Sequence, residues 1–134
     1  MANKLQSYMK KIITTPNAPA PIGPYNQAIL SGNTLYTSGQ IAINPETGLL
    51  VLDDIKTETK QVMMNLKAVL EAANMTFENV VKTSIFISNM DDFVKINDVY
   101  GSFFDEANAP ARETVQVARL PKNVNVEISV IAVK

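Results

Sequence analysis

Two helical hydrophobic patterns set among β-branched segments restrict the fold more than any other feature of this chain. Residues 54–74 place apolar side chains at helical spacing, and a second such pattern covers residues 91–107. The segments around them are short and rich in Val, Ile and Thr, which is typical of strands. We predict strands over residues 11–15, 25–30, 34–38, 79–88, 112–118 and 124–133. The order β-β-β-α-β-α-β-β predicts an α+β fold with two helices covering one face of a sheet.

Loop and helix-start signals fit between these elements. Four prolines between residues 15 and 24 predict an extended loop, and Gly32 followed by Asn33 predicts a hairpin turn. Asp54 and Asp91 stand where the helices are predicted to begin, so each is either a helix N-cap or part of an acidic metal site. We favour N-caps, because the acidic pairs lack the spacing of a calcium loop.

Length and charge limit the kind of protein this is. A chain of 134 residues suits one domain, which we assign to residues 11–134 after a flexible arm over residues 1–10. With 12 basic and 13 acidic residues, the chain has no strong positive field for nucleic acid. Its apolar runs fall short of the roughly 20 residues of a membrane helix, and its N-terminus does not resemble a secretory signal. We expect a cytoplasmic protein that binds neither nucleic acid nor membrane.

The absence of histidine and cysteine narrows the chemistry further. Without them there is no Ser-His-Asp triad, no thiolate nucleophile and no ordinary zinc site. We therefore predict no metal centre, and any catalysis must rely on Arg, Lys, carboxylates, hydroxyls and the backbone.

Alternation in the last predicted strand separates two sheet faces. Val126, Ile128 and Val130 point to one side, whereas Glu127 and Ile131 point to the other. Two helices can cover the first side. The second side mixes polar with large apolar groups, so we predict a subunit interface with a site built into it.

Arg112 is the candidate ligand-binding residue of that site. It opens the preceding strand and shares a face with Thr114, and a guanidinium offers a planar pair of donors that fits a carboxylate. Glu127 is predicted to lie on the polar face of a neighbouring strand, and Gly39 ends another strand with an N–H that a ligand can approach. These residues predict a site for a small carboxylic acid. The alternatives are that Arg112 is an ordinary surface charge and that Glu127 pairs with Arg119 or a lysine.

Five short motifs carry a family resemblance. They occupy residues 23–28, 37–41, 110–115, 118–122 and 126–128. In this order and spacing the chain resembles the RidA (YjgF) family of reactive-intermediate deaminases over residues 11–133. The resemblance implies a chorismate-mutase-like fold with a mixed sheet and a homotrimer with three clefts between subunits. It also implies hydrolysis of 2-iminobutanoate and 2-iminopropanoate to 2-oxo acids and ammonia, with no cofactor.

The resemblance implies catalytic roles for three residues. Arg112 would hold the substrate carboxylate, and Glu127 would orient the attacking water and help to move its proton. Tyr25, from the Gly-Pro-Tyr loop, would close over the substrate. Glu113 departs from the family pattern, which often has serine or another small residue there, but strand alternation points it away from Arg112.

Further substrate-binding residues follow from the same resemblance. Ser38 and Gly39 would line the pocket, with the Gly39 N–H against the substrate. Asn97 matches a pocket asparagine on the second helix, and the Thr114 carbonyl would face the imine nitrogen.

Two other functions stay open at this point. The chain is alternatively a trimeric module that binds 2-oxo acids or regulates without turnover. A ribonuclease or translation inhibitor, a role attached to some relatives, is disfavoured by the near-zero net charge and the lack of His and Trp.

Overall fold

The computed structural model describes residues 9–134, and within them six strands form one mixed sheet. The strands are β1 (Lys11–Ile13), β2 (Ala28–Ser31), β3 (Thr34–Thr37), β4 (Val80–Ile87), β5 (Ala111–Gln116) and β6 (Val126–Val133). The helices are α1 (Ile55–Ala72) and α2 (Phe93–Gly101). Neighbours follow the order β1-β2-β3-β6-β4-β5; β4 and β5 run parallel and the other pairs antiparallel. The predicted order of elements and the α+β class are confirmed, whereas most of the predicted arm over residues 1–10 lies outside the described residues.

Helix α1 begins and packs as its pattern predicts. The Asp54 carboxylate accepts a hydrogen bond from the Thr57 N–H at 2.8 Å, so the predicted N-cap is confirmed. Val62, Leu66 and Leu70 are fully buried against the sheet in the main core. Of the helices within residues 9–134, neither is long and apolar enough to cross a bilayer.

Helix α2 is shorter than predicted. The expected span of residues 91–107 contains a nine-residue helix that ends at Gly101, and Asp91 is not its cap. Instead, the Asn89 side chain accepts the Asp91 N–H at 2.9 Å and starts a 3₁₀ turn before the helix. The Ser102 hydroxyl donates to the Val99 carbonyl at 2.6 Å just past the helix end, and side-chain bonds of this kind compete with the helical ladder.

The strand predicted to begin at Tyr25 begins at Ala28, so Tyr25 lies in a loop. Its backbone N–H donates to the Gly23 carbonyl at 2.8 Å, which closes a tight turn after Pro24 rather than pairing with a strand. The other strand ends lie within two residues of the prediction. The predicted hairpin turn is confirmed between β2 and β3, with Gly32 at φ 59°.

The two sides of the sheet differ as the alternation predicts. Val126, Ile128 and Val130 are buried under the helices, on the side we call the helix face. Glu127 and Ile131 are half-buried on the other side, which we call the open face. The open face therefore carries the predicted mixture of polar and large apolar groups.

A buried carboxylate ties α1 to the start of β6. Glu58 is fully buried and accepts hydrogen bonds from Asn125 N at 2.8 Å, Asn125 Nδ2 at 2.7 Å and Val126 N at 3.2 Å. Three donors thus depend on one side chain, immediately before Glu127.

We expect Glu58→Ala to lower the free energy of unfolding by about 2–4 kcal/mol, because it leaves these buried donors without an acceptor. Glu58→Gln keeps one acceptor oxygen and should lose less. Urea denaturation followed by circular dichroism measures the difference, with the exposed Glu71→Ala on the same helix as the control. A Glu58→Ala variant as stable as Glu71→Ala would show that the three bonds contribute little.

Candidate functional site

Arg112 is held in place by three side chains of α2. Its Nη1 donates to Asn97 Oδ1 at 2.6 Å, and its guanidinium carbon lies 5.0 Å from the Tyr100 ring centroid and 5.7 Å from that of Phe93. Both ring distances are within the range of cation–π attraction. The guanidinium therefore has a defined position before any ligand arrives.

The family resemblance implied that Asn97 belongs to the pocket, but the contacts of Arg112 with the two rings were not predicted. Phe93, Asn97 and Tyr100 stand at i, i+4 and i+7, which puts them on one face of α2. That spacing was the available signal.

The Tyr100 ring is anchored to β4 through its hydroxyl group. Its hydroxyl donates to the fully buried Thr83 Oγ1 at 2.9 Å, and burial raises the pKa of Tyr100, so the phenol stays neutral. A neutral, anchored ring gives Arg112 a rigid surface on which to lie. A cavity of about 270 Å³ opens beside Arg112, Asn97 and Tyr100.

Thr114 lies two residues beyond Arg112 on the same face of β5. Its Oγ1 is buried and, among residues 9–134, has no hydrogen-bond partner. Buried hydroxyls are normally paired, so this unpaired atom is an exception that contacts within the single chain do not explain.

A second cluster forms around Glu127. Tyr25, Gly39 and Glu127 line a small cavity of about 70 Å³, together with Gln27 and Pro121. Tyr25 is 47% exposed, and its Oη accepts the Ile22 N–H at 3.3 Å. The structure thus brings three of the predicted site residues together on the Glu127 side of the sheet.

Ser38 stands at the edge of this second cluster. Its hydroxyl donates to the Asn26 carbonyl at 2.5 Å, and its N–H donates to the Gln27 carbonyl at 3.0 Å. In the single chain, Ser38 therefore fastens the loop that carries Tyr25 to the end of β3.

Gly39 is required beside Glu127 for reasons of space. A Cβ atom at residue 39 would lie 2.8 Å from Glu127 Cδ, closer than such atoms approach in proteins. Main-chain bonds between Gln40 and Ile128, of 2.8 and 3.1 Å, hold the two segments at this separation. The Gly39 backbone is thereby kept against the Glu127 carboxyl group.

The Glu127 carboxyl group is half-buried, and that burial raises its pKa. Within the described part of the chain, no side chain forms an ion pair with it. The alternative partner Arg119 instead donates from Nε to Asn123 Oδ1 at 2.8 Å. A carboxylate with a raised pKa and no cationic partner is suited to accept a proton.

Glu113 points away from Arg112, as strand alternation predicts. Its carboxylate forms an ion pair with Lys82 Nζ at 2.6 Å and accepts a hydrogen bond from Ser84 on the open face. The hydrogen bonds from Lys82 and Ser84 lower the pKa of Glu113. Glu113 is therefore fully charged near neutral pH and is turned away from the guanidinium.

The two clusters lie on opposite faces of one sheet. The register pairs Thr83 with Arg112 and with Val130, so Arg112 lies on the helix face, whereas Phe86 pairs with Glu127 on the open face. The prediction that Glu127 lies on the strand next to that of Arg112 is wrong, since β4 separates β5 from β6. One chain thus holds a cluster around Arg112 and a cluster around Glu127 that do not face each other.

Comparisons with known proteins give a consistent result. The family model described as "Endoribonuclease L-PSP" matches residues 15–134. A RutC family protein of Pyrococcus horikoshii is 52% identical over 126 residues, covering 94% of this chain and 99% of the relative. A protein of Escherichia coli strain K12 named 2-iminobutanoate/2-iminopropanoate deaminase is 48% identical over 128 residues, covering 94% and 99%.

Solved structures agree over nearly the whole chain. The YjgF gene product of E. coli superposes with a TM-score of 0.87 at 48% identity, covering 92% of this chain and 98% of that one. E. coli TdcF with bound serine gives a TM-score of 0.88 at 45% identity, covering 93% and 99%.

Proposed function

Because this chain belongs to the endoribonuclease L-PSP family, which includes the RidA (YjgF) proteins it resembles, we propose that it hydrolyses 2-imino acids to 2-oxo acids and ammonia. The proposed substrates are 2-iminobutanoate and 2-iminopropanoate, and the proposed active form is a cytoplasmic homotrimer. The observation that carries the proposal is the Arg112 guanidinium, held by Asn97 and two aromatic rings in a position that fits a small carboxylate.

The site is completed by a second copy of the chain. Arg112 and Thr114 lie on the helix face at the sheet edge, while Glu127 of β6 and the neighbouring Gly39 lie on the open face. Neither half can reach the other within one chain, so adjacent subunits supply one half each. The open face, with exposed Val115 and Val133 beside polar groups, is the surface we assign to subunit contact.

Arg112 binds and orients the substrate. Its fork of N–H donors holds the carboxylate, which fixes the adjacent C=N carbon relative to the neighbouring subunit. The Thr114 carbonyl accepts a hydrogen bond from the imine nitrogen, and the Gly39 N–H donates to the substrate. These contacts leave the imine carbon open to attack.

Glu127 supplies the proton transfers. It accepts a proton from a water whose oxygen bonds to the carbon of the protonated imine, while the C=N π electrons move to nitrogen and give a neutral carbinolamine. Glu127 then returns its proton to the amine nitrogen. As the C–N bond breaks and ammonia leaves, the hydroxyl group forms the C=O bond of the 2-oxo acid and releases its proton to solvent. A positioned base of this kind contributes roughly 10²–10⁴-fold. An iminium carbon is already electrophilic, so the reaction needs no histidine or thiol nucleophile.

The direct test couples the protein to a threonine dehydratase and measures the release of 2-oxobutanoate while semicarbazide competes for the imine. We expect wild-type protein to accelerate the release and Arg112→Ala to lose that effect. If wild type produces no acceleration above the dehydratase alone, the proposed activity is wrong.

A second candidate is binding without turnover, favoured by the serine-bound structure of the TdcF relative. Calorimetry decides between the two. Binding of 2-oxobutanoate by a protein that is inactive in the imine assay would indicate a sensor. RNA binding with a steep salt dependence would instead support the alternative of a ribonuclease or translation inhibitor.

We expect Gly39→Ala to reduce kcat/KM by roughly 10- to 100-fold, because the new methyl group displaces the Glu127 carboxyl from its position. The coupled imine assay measures the loss. In a Glu127→Gln background the same substitution should cost little, since the base is already absent. Equal costs in both backgrounds would mean that Gly39 acts independently of Glu127.

A further inference from the structure

One glutamine fastens the proline-rich loop that carries Tyr25. Gln27 is 3% exposed, and its Oε1 accepts the Thr15 N–H at 2.7 Å. Its Nε2 donates to the carbonyls of Thr15 and Pro19, each at 2.9 Å, and of Ala18 at 3.2 Å. A single side chain therefore bonds to the backbone at three residues, eight to twelve positions earlier in the chain.

Apart from the Ser38 bond to the Asn26 carbonyl, few bonds link the backbone of this loop to the rest of the chain. Four of its residues are prolines, which lack the N–H needed for a strand ladder. Buried carbonyl groups still require donors, and the Gln27 amide supplies them where Thr15 and Ala18 are buried. Loss of this amide would leave several buried carbonyls unpaired at once.

The same residue connects the loop to the Glu127 half-site. The Gln27 carbonyl accepts the Ser38 N–H at 3.0 Å, next to Gly39. Its side chain also lines the small cavity that Tyr25 and Glu127 share. The outer part of the loop has only local bonds, from Ile22 to Tyr25 Oη and from the Tyr25 N–H to Gly23.

We infer that Gln27 is a positioning residue, which sets the place of Tyr25 over the site by fixing the base of its loop. This inference rests on the proposed function, because Tyr25 closes over the substrate only in that proposal. Gln27 itself touches no reacting atom. Its effect reaches the substrate through Tyr25 and the loop.

The test is a double-mutant cycle between Gln27→Leu and Tyr25→Ala in the coupled imine assay. Gln27→Leu alone should lower kcat/KM by roughly 10- to 100-fold, as expected for a misplaced site group. When Tyr25 is already alanine, Gln27→Leu should lower it little further. Losses that multiply in full would overturn the inference, and so would wild-type activity in Gln27→Leu.

A matched control separates this role from a general loss of stability. Thr59 is fully buried on α1, and its hydroxyl donates to the Ile55 carbonyl at 2.7 Å, far from the loop in sequence. Thr59→Val removes a buried hydrogen bond but should leave kcat/KM unchanged. An equal loss in Thr59→Val and Gln27→Leu would assign the effect to stability alone.

Gln27→Glu provides a conservative variant in case Gln27→Leu does not fold. Its carboxylate keeps the acceptor for Thr15 but offers the carbonyls no donor until it is protonated. The ratio of its activity to that of wild type should rise as the pH falls. A ratio independent of pH would count against the inference.

Hydrogen exchange makes failure of this inference distinguishable from failure of the proposed function. Should wild type show no deaminase activity, the proposed function fails, but amide exchange over residues 15–25 still reports on the fastening. We expect faster exchange there in Gln27→Leu than in Thr59→Val. Equal exchange in the two variants would show that Gln27 does not hold the loop.

Discussion

Arg112→Ala is expected to reduce kcat/KM for 2-imino acid hydrolysis by about 10²–10³-fold. In the proposed site, the substitution removes two charge-assisted hydrogen bonds to the substrate carboxylate, worth about 3–4 kcal/mol together. Each 1.36 kcal/mol, in turn, corresponds to a factor of about ten in rate. The coupled assay with semicarbazide measures the loss as a function of imine concentration.

Two further variants identify the cause of that loss. Arg119→Ala removes a guanidinium of the same charge. Among the described side chains Arg119 bonds only to Asn123, so its loss should leave the activity unchanged. Arg112→Lys retains the charge but loses the planar fork and the stacking on Tyr100, so an intermediate activity is expected. An Arg112→Ala variant as active as Arg119→Ala would remove Arg112 from the site.

Glu127→Gln is expected to lower kcat by roughly 10²–10⁴-fold, because an amide of the same shape accepts no proton from water. The pH dependence should change as well. Burial raises the pKa of Glu127 above its ordinary value of 4.5, and the base must be ionised to act. Wild-type activity should therefore decline as the pH falls through this raised pKa, at a higher pH than for an exposed glutamate.

The pH profile of kcat/KM checks this assignment. The decline of activity at low pH should be absent in Glu127→Gln. Gly39→Ala should retain this decline in altered form, because the Glu127 carboxyl group is displaced rather than removed. An unchanged acidic limb in Glu127→Gln would assign the titration to another group.

The fold was predictable where local and long-range signals agreed. The apolar stripe of α1 and its Asp54 cap specify the same helix, and the structure contains it. In α2 the local pattern and the tertiary contacts disagree. Phe103 and Phe104 continue the helical spacing, but the helix ends at Gly101. Both rings instead pack edge-on against the Phe77 ring, with centroid distances of 5.4 and 5.3 Å. Spacing alone does not report that tertiary contact.

The sequence and its family resemblance predict which residues belong to the candidate site, but not how the sheet arranges them. Alternation shows which side chains within a strand share a face, so Arg112 was correctly grouped with Thr114. It does not show which strands are neighbours or which face of one matches a face of another. Those facts come from the register of β4, which pairs with both β5 and β6 and places Arg112 and Glu127 on opposite sides.

The separation of Arg112 from Glu127 determines how many clefts of the proposed homotrimer lose activity when one chain carries an inactivating substitution. In the proposed homotrimer, each chain contributes its Arg112 to one cleft and its Glu127 to another. A single chain with a defective Arg112 then disables one cleft and leaves the other two intact. Chains with different defects can together form a cleft in which both contributing halves are sound. Mixed trimers of Arg112→Ala chains and Glu127→Gln chains, each inactive alone, would therefore recover part of the activity.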